Sequence, residues 1–284
     1  MKRLAAWPLA CTLALLSAPA QASFLRLVPT LSLEAEPGET GSLRMHGAIR
    51  NEGDEAAQGV QLESAGRGEV LADLGSLGAG ESKPVEVTVE AERFGIREPG
   101  SYQIALRLLY RDANGVPFSA VSLSPFQRTS PEERFGVSAP VAIVVEPERG
   151  PGARLEVADR REFEVEVRNL VDEPVTAELR FVASKELRIQ VPSGSRVELQ
   201  PSESKRVRAE LVNDRGLPNS SYATFALAEG VHQGRHFAEY TGFGVAITSA
   251  SAERARYTPG LLLGLALAFV VGGIAYWART RRTS

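Results

Sequence analysis

Three stretches of this chain alternate apolar and polar side chains without a slip: Phe163-Glu-Val165-Glu-Val167-Arg, Val85-Glu-Val87-Thr-Val89-Glu and Val175-Thr-Ala177-Glu-Leu179-Arg-Phe181. A period of two turns one face of a strand into a core and the other into water, whereas a helix needs a period near 3.6. Clusters of Gly, Pro, Asn and Asp break the runs at the short spacing of a β-sandwich. No amphipathic helical pattern of ten residues or more precedes Gly260. The pattern therefore predicts an all-β fold.

The same unit occurs twice. Arg50-Asn51-Glu-Gly-Asp54-Glu55 matches Arg168-Asn169-Leu-Val-Asp172-Glu173, and Leu77-Gly-Ala-Gly-Glu81-Ser82-Lys83 matches Leu199-Gln-Pro-Ser-Glu203-Ser204-Lys205. Ser101-Tyr102 then matches Ser221-Tyr222. The Asn lies 30 and 34 residues before the Glu-Ser-Lys, and the Ser-Tyr lies 20 and 18 residues beyond its Glu. Asn and Asp bond their own backbone, so the first motif reads as a strand end entering a turn. The second reads as a polar turn before a core strand. Asp112-Ala-Asn114-Gly115 predicts a type I′ hairpin, which needs positive φ at both Asn and Gly.

Both ends carry membrane-targeting patterns. Lys2 and Arg3 precede an apolar run from Leu4 to Ala18, and Ala20-Gln21-Ala22 suits signal peptidase, so a mature start at Ser23 is expected. Gly260–Ala278 is nineteen residues without a charge, enough for a helix to span a hydrocarbon layer about 30 Å thick. Tyr257, Tyr276 and Trp277 suit its interfaces, and Arg279, Arg281 and Arg282 suit a cytoplasmic tail. The expected order is a signal peptide at 1–22, an Ig-like domain at 23–146, a linker at 147–153 and a second Ig-like domain at 154–249. A juxtamembrane linker at 250–259, a transmembrane helix at 260–278 and a tail at 279–284 follow. The expected location is the inner membrane, single-pass, with the domains in the periplasm or outside the cell.

Cys11 is the sole cysteine and lies in the leader. Pro8 stands where a lipoprotein signal wants Leu. Disulfides, thiolate metal sites and cysteine nucleophiles are thereby excluded from the mature chain. Setting aside Lys2, Arg3 and the three tail arginines leaves 27 basic side chains against 35 acidic ones. That balance argues against nucleic acid as a partner.

Catalytic signatures are missing. There is no Gly-x-Ser-x-Gly, no phosphate loop and no dinucleotide fingerprint. Glu164 and Glu166 belong to the solvent face of a strand and not to a cleft between facing carboxylates. Asp112-x-Asn114-Gly115 lacks the later ligands of a calcium loop. His232 and His236 are four apart, but Gly230 and Gly234 break any helix and no Glu-x-x-His order is present, so exposed hairpin histidines are expected. His46 reads as a half-buried strand residue. No cofactor, metal or catalytic residue is expected.

The strings "RNEGDEAAQGVQLES" and "LGSLGAGESKPVEVTVEA" resemble bacterial immunoglobulin-like modules of the CARDB and NEW3 type. The resemblance spans most of both units. It implies seven-stranded sandwiches used for adhesion, spacing or carbohydrate-associated roles, with no catalytic residues. The second copy departs in having Leu-Val after Asn169. Pro29-Thr30-Leu31-Ser32-Leu33 gives a lesser likeness to periplasmic pilus chaperones. The expected function is to bind or position a cell-envelope protein or surface-polysaccharide component. Alternatives are capture of an extended segment at a sheet edge, or a surface adhesin whose tail is a sorting signal. Arg93-Phe94-Gly95-Ile96-Arg97 is the expected partner-binding loop, since Arg and aromatic side chains dominate binding hot spots; the alternative is that Phe94 and Ile96 plug the end of the sandwich.

Tyr102 and Ile104, with Tyr222 as the second copy's counterpart, are expected on the central strand of each sandwich. Ile104→Ala should then cost about 2–5 kcal/mol in a denaturant titration. A change below about 0.5 kcal/mol would place Ile104 on the wrong face.

Overall fold

The computed structural model describes residues 24–35, 41–128, 139–146 and 154–249. The expected leader, the 147–153 linker and everything from 250 onward, including the apolar run Gly260–Ala278, lie outside the described residues. Among the described residues no helix is long and apolar enough to cross a membrane.

The first unit is a sandwich. One sheet holds β1 (Leu27–Ala35), β2 (Ser42–Asn51) and β5 (Ser82–Glu90) in the order β1-β2-β5. The facing sheet runs β4-β3-β6-β7, with β3 (Ala57–Ser64), β4 (Val70–Leu77), β6 (Gly100–Arg111) and β7 (Pro117–Arg128). A short 3-10 turn at Ala91–Phe94 closes one end. The core between the sheets includes Met45, Ile49, Leu62, Leu77, Ile96, Ile104 and Leu106.

The second unit repeats the plan. One sheet runs β12-β14-β10-β8, with β8 (Val141–Glu146), β10 (Arg160–Asn169), β12 (Leu187–Gln190) and β14 (Ser204–Asn213). The other holds β13 (Arg196–Leu199), β11 (Val175–Val182), β15 (Ser221–His232) and β16 (Arg235–Ile247), with β9 (Arg154–Val157) parallel to the end of β16. Phe163, Val165 and Val167 point inward, as do Val175, Ala177 and Leu179, so the alternation has its expected meaning.

Two expectations are corrected. Val141–Glu146, assigned above to the first unit, pairs antiparallel with β10 and sinks Val141, Ile143 and Val145 into the second core. It closes the edge of β10 as β1 closes that of β2, so the second sandwich starts by Val141 and not at Arg154. The turn after β6 is also not type I′. Gly115 has φ +80, but no positive φ occurs at Asn114. The Asp112 carboxylate instead accepts the N–H groups of Asn114 (2.9 Å) and Val116 (2.8 Å), which favours a wider loop. The hairpin with positive φ at both central residues is Gln233-Gly234, joining β15 to β16.

The repeated motifs meet in space. Asn51 is fully buried and ends β2. Its amide donates to the carbonyls of Glu55 (2.7 Å) and Leu77 (3.2 Å), and its oxygen accepts the Gly53 N–H (2.9 Å). Asn169 does the same with Glu173 (2.8 Å), Gln200 (2.9 Å) and Val171 (3.0 Å). The Glu of each Glu-Ser-Lys closes the second turn, accepting the N–H of Gly78 or Gln200 at 2.6 Å. Its own carbonyl accepts the N–H of Asn51 or Asn169. A buried donor or acceptor left alone costs about 1–3 kcal/mol. Asn51→Ala or Asn169→Ala should therefore cost on the order of 3 kcal/mol by chemical denaturation. Losses under about 1 kcal/mol for both would show that water replaces the amide.

Candidate functional site

The outer faces of two sheets, which a lone sandwich would leave in water, meet here. Ala105 of β6 and Val121 of β7 pack against Val182 of β11 and Leu227 of β15, with Leu123 and Phe225 alongside. Leu227 is fully buried by this contact. Beside the apolar patch, Glu63 on β3 is 2% exposed. Its carboxylate takes the Arg107 guanidinium at 2.8 Å from its own unit and the Lys185 ammonium at 3.0 Å from the other. Arg107 also donates to the Ala183 carbonyl at 3.1 Å.

Ser119 on β7 is the second anchor. Its hydroxyl donates to the Glu186 carboxylate (2.6 Å) and accepts the Lys185 N–H (2.7 Å), while its carbonyl accepts the Ser184 hydroxyl (3.1 Å). Ser184 and Glu186 are both buried. The loop from β11 to β12 thus plugs into the first sandwich.

The third anchor joins strands. Gly100 and His236 form a parallel bridge between β6 and β16. Gly100 has φ +139, and a Cβ there would lie 2.0 Å from the His236 carbonyl oxygen, so only glycine fits. The His236 N–H donates to the Pro99 carbonyl, and its ring Nδ1 donates to that of Ser101 at 2.7 Å, which places a proton on Nδ1. The ring stacks on Tyr102 with centroids 4.0 Å apart and planes 1° from parallel. The Tyr102 hydroxyl donates to the Glu98 carbonyl at 2.8 Å, the corner bond found at the start of this strand in immunoglobulin-type sandwiches.

Two clefts flank His236. The larger, about 390 Å³, lies between the 64–67 turn and the Arg93–Gly95 turn of the first unit and Arg180 and Glu229 of the second. Arg180 and Glu229 form a two-point pair at 2.9 and 3.0 Å. The smaller, about 250 Å³, lies between Gln127 and the turns at 171–173 and 232–237.

Of the loop named from sequence, Arg93 and Phe94 line the larger cleft. Arg93 pairs with Glu69 and, at 3.3 Å, with Glu90. Phe94 is half-buried against the core and Arg97 is exposed. Ile96 is 1% exposed and packs in the first core, so it plugs the end of the sandwich and does not join the binding surface. His232 and His236 are half-buried and not exposed. The register pairs His236 with Val231, so the two rings leave opposite faces of the hairpin. His232 lies 3.6 Å from Glu173. His46 is half-buried on β2, as expected. Among the described residues no three His, Cys, Asp or Glu side chains are grouped to hold a metal. Sequence reasoning missed Glu63, Arg107, Ser119, Lys185 and Glu186. The available signal was the run Ile104-Ala105-Leu106, apolar on both faces of β6.

The sequence matches no protein-family model and no curated protein. Among solved structures, native alpha-2-macroglobulin from E. coli is similar over 78% of this chain at 13% identity, with a TM-score of 0.29. The chain spans 17% of that protein's length. A protein of unknown function from Porphyromonas gingivalis W83 is similar over 78% of this chain and 99% of its own, at 12% identity and TM-score 0.31. The YadV chaperone is similar over 72% and 92%, at 9% identity and TM-score 0.26. At such scores these likenesses carry no argument. The sandwich assignment rests on the strand pairing above.

Tyr110 lies in the first core, its hydroxyl held up to a pKa of about 12 by burial first and by the Glu186 charge second. An unfolded tyrosine releases its proton near pH 10. Between about pH 10 and 12 the unfolded state thus binds fewer protons, so stability complete below pH 10 falls as pH rises through this window. Tyr110→Phe should flatten that fall by on the order of 2 kcal/mol, read as denaturation midpoints across the window. An unaltered slope would assign the alkaline loss to other groups.

Proposed function

We propose that this chain is a non-enzymatic protein of the inner membrane whose tandem immunoglobulin-like sandwiches bind and position a partner in the periplasm. Gly260–Ala278 would be the anchor. The partner class is a cell-envelope protein or a surface-polysaccharide component. The supporting observation is the larger cleft at the junction, where Arg67, Arg93, Phe94 and Tyr102 come together opposite Arg180. Arginine and aromatic side chains supply most binding energy at interfaces, and loops held on a sandwich are where such sites are grafted. Ile96 has a different job from its neighbours in this reading: buried below the loop, it fixes the turn that presents Arg93 and Phe94.

A stable scaffold with a shaped, charged groove suits recognition. The test is Arg93→Ala with Arg97→Ala in the full chain, read by crosslinking in membranes. Partner recovery should fall about 5-fold or more, the effect of one hot spot near 1 kcal/mol, while the thermal midpoint stays nearly constant. Exposed ion pairs such as Arg93–Glu90 add little stability. Undiminished recovery would remove this loop from the site.

A further inference from the structure

Domains joined in one chain swing by default unless their shared surface is large and apolar. The apolar patch here is small. The polar contacts around it are directional and mostly out of water. Ser119 has one hydroxyl that both donates and accepts across the junction, and a carbonyl engaged by a third group. A tilt that broke these bonds would leave buried polar groups without partners.

Glu63 adds a charge constraint. This carboxylate, 2% exposed, stands against two cations, and removing one partner of a buried pair is far costlier than the pair is worth. Arg107 alone belongs to the same sandwich. Lys185 reaches Glu63 only while the second sandwich sits in its present place. At the far side of the contact, the Gly100–His236 bridge and the stacked Tyr102–His236 rings restrict the same motion.

We infer that Glu63, Ser119 and the 184–186 loop form a lock that holds the two sandwiches as one rigid body at a fixed angle. The lock acts on the geometry of the clefts whether or not the Arg93 loop binds a partner. A buried charge with one partner in each sandwich selects a single arrangement even where it adds little net stability. The protein is then a stiff arm, and opening it requires Lys185 to leave Glu63.

The experiment uses the full chain in detergent, with Cys11→Ser and spin-labelled cysteines at exposed Thr88 and Ser193, one in each sandwich. The expected pulsed-dipolar result is one narrow distance distribution. Ser119→Ala with Lys185→Met should at least double its width, whereas Lys185→Arg, which keeps a cation near Glu63, should leave it narrow. Circular dichroism checks that each variant is folded. Should the double variant fail that check, Lys185→Ala alone replaces it, since that side chain is part-exposed and outside both cores. A broad distribution in the starting protein would overturn the inference. So would an unchanged width in the folded double variant or in Lys185→Ala.

Discussion

A buried asparagine, at the end of β2 in the first sandwich and of β10 in the second, holds the rest of each sandwich in register. Without disulfides in the described units, nothing covalent ties the turn after β2 to the turn before β5. Asn51 ties them through one amide, whose hydrogens go to the Glu55 and Leu77 carbonyls and whose oxygen takes the Gly53 N–H. A fully buried amide is affordable only when its hydrogen-bonding capacity is used. Here three of its four positions are occupied. Asn169 repeats the arrangement with its own turns. The Asn motif and the Glu-Ser-Lys motif are thus two halves of one hydrogen-bonded unit, which explains why both halves recur at such similar spacing.

The two copies share this hub and differ on their outer faces. On β6 the inward Ile104 and Leu106 are needed by any sandwich, but Ala105 between them is buried by the other unit. A large side chain at that position would hold the sheets apart, and a charged one would be stranded. The ionised groups stand at the margin of the patch, where Glu63 is shared between Arg107 and Lys185. The outer face of the other sheet in the second unit is built oppositely. Glu162, Glu166 and Glu210 face Arg208, Arg206 and Arg160 in cross-strand ion pairs, a solvated ladder in which exposed pairs add little stability. The contrast between these faces marks which one meets a partner domain.

How much of this was legible follows the range of the interactions. Phe163, Val165 and Val167 could be oriented from sequence because period two is local. The Asn and Glu-Ser-Lys motifs were recognised as turns, yet their direct contact was invisible, because 26 residues separate Asn51 from Leu77. Val141–Glu146 was misassigned because a Pro- and Gly-rich stretch follows it. Composition marks such a stretch as a boundary, but the strand before it already belongs to the second core. Asp112-Ala-Asn114-Gly115 was read as the wrong turn because the Asp112 carboxylate outcompetes the tight hairpin by taking two backbone N–H groups. The junction was the least legible part. Ser119 and Glu186 are 67 residues apart, and neither carries a local pattern that names the other. Phe94 and Ile96 sit two apart in one turn, where no periodicity applies, so sequence could not say that one would line a cleft and the other vanish beneath it.

Tyr102 shows why the junction and the core cannot be treated separately. Its hydroxyl closes the corner bond to Glu98, which sets how the chain enters β6. The position of Gly100 depends on that entry, and so does the close approach of the His236 backbone. The same phenol ring offers a face on which His236 stacks, while Nδ1 of that histidine reaches the Ser101 carbonyl beside it. One side chain therefore ties the first sandwich's internal geometry to the seat of the second. The cleft that carries Arg93 and Phe94 is bounded by Tyr102 and His236, so its width is set by this stack and not by the loop alone. Any change that relaxes the corner would reach the groove through the ring.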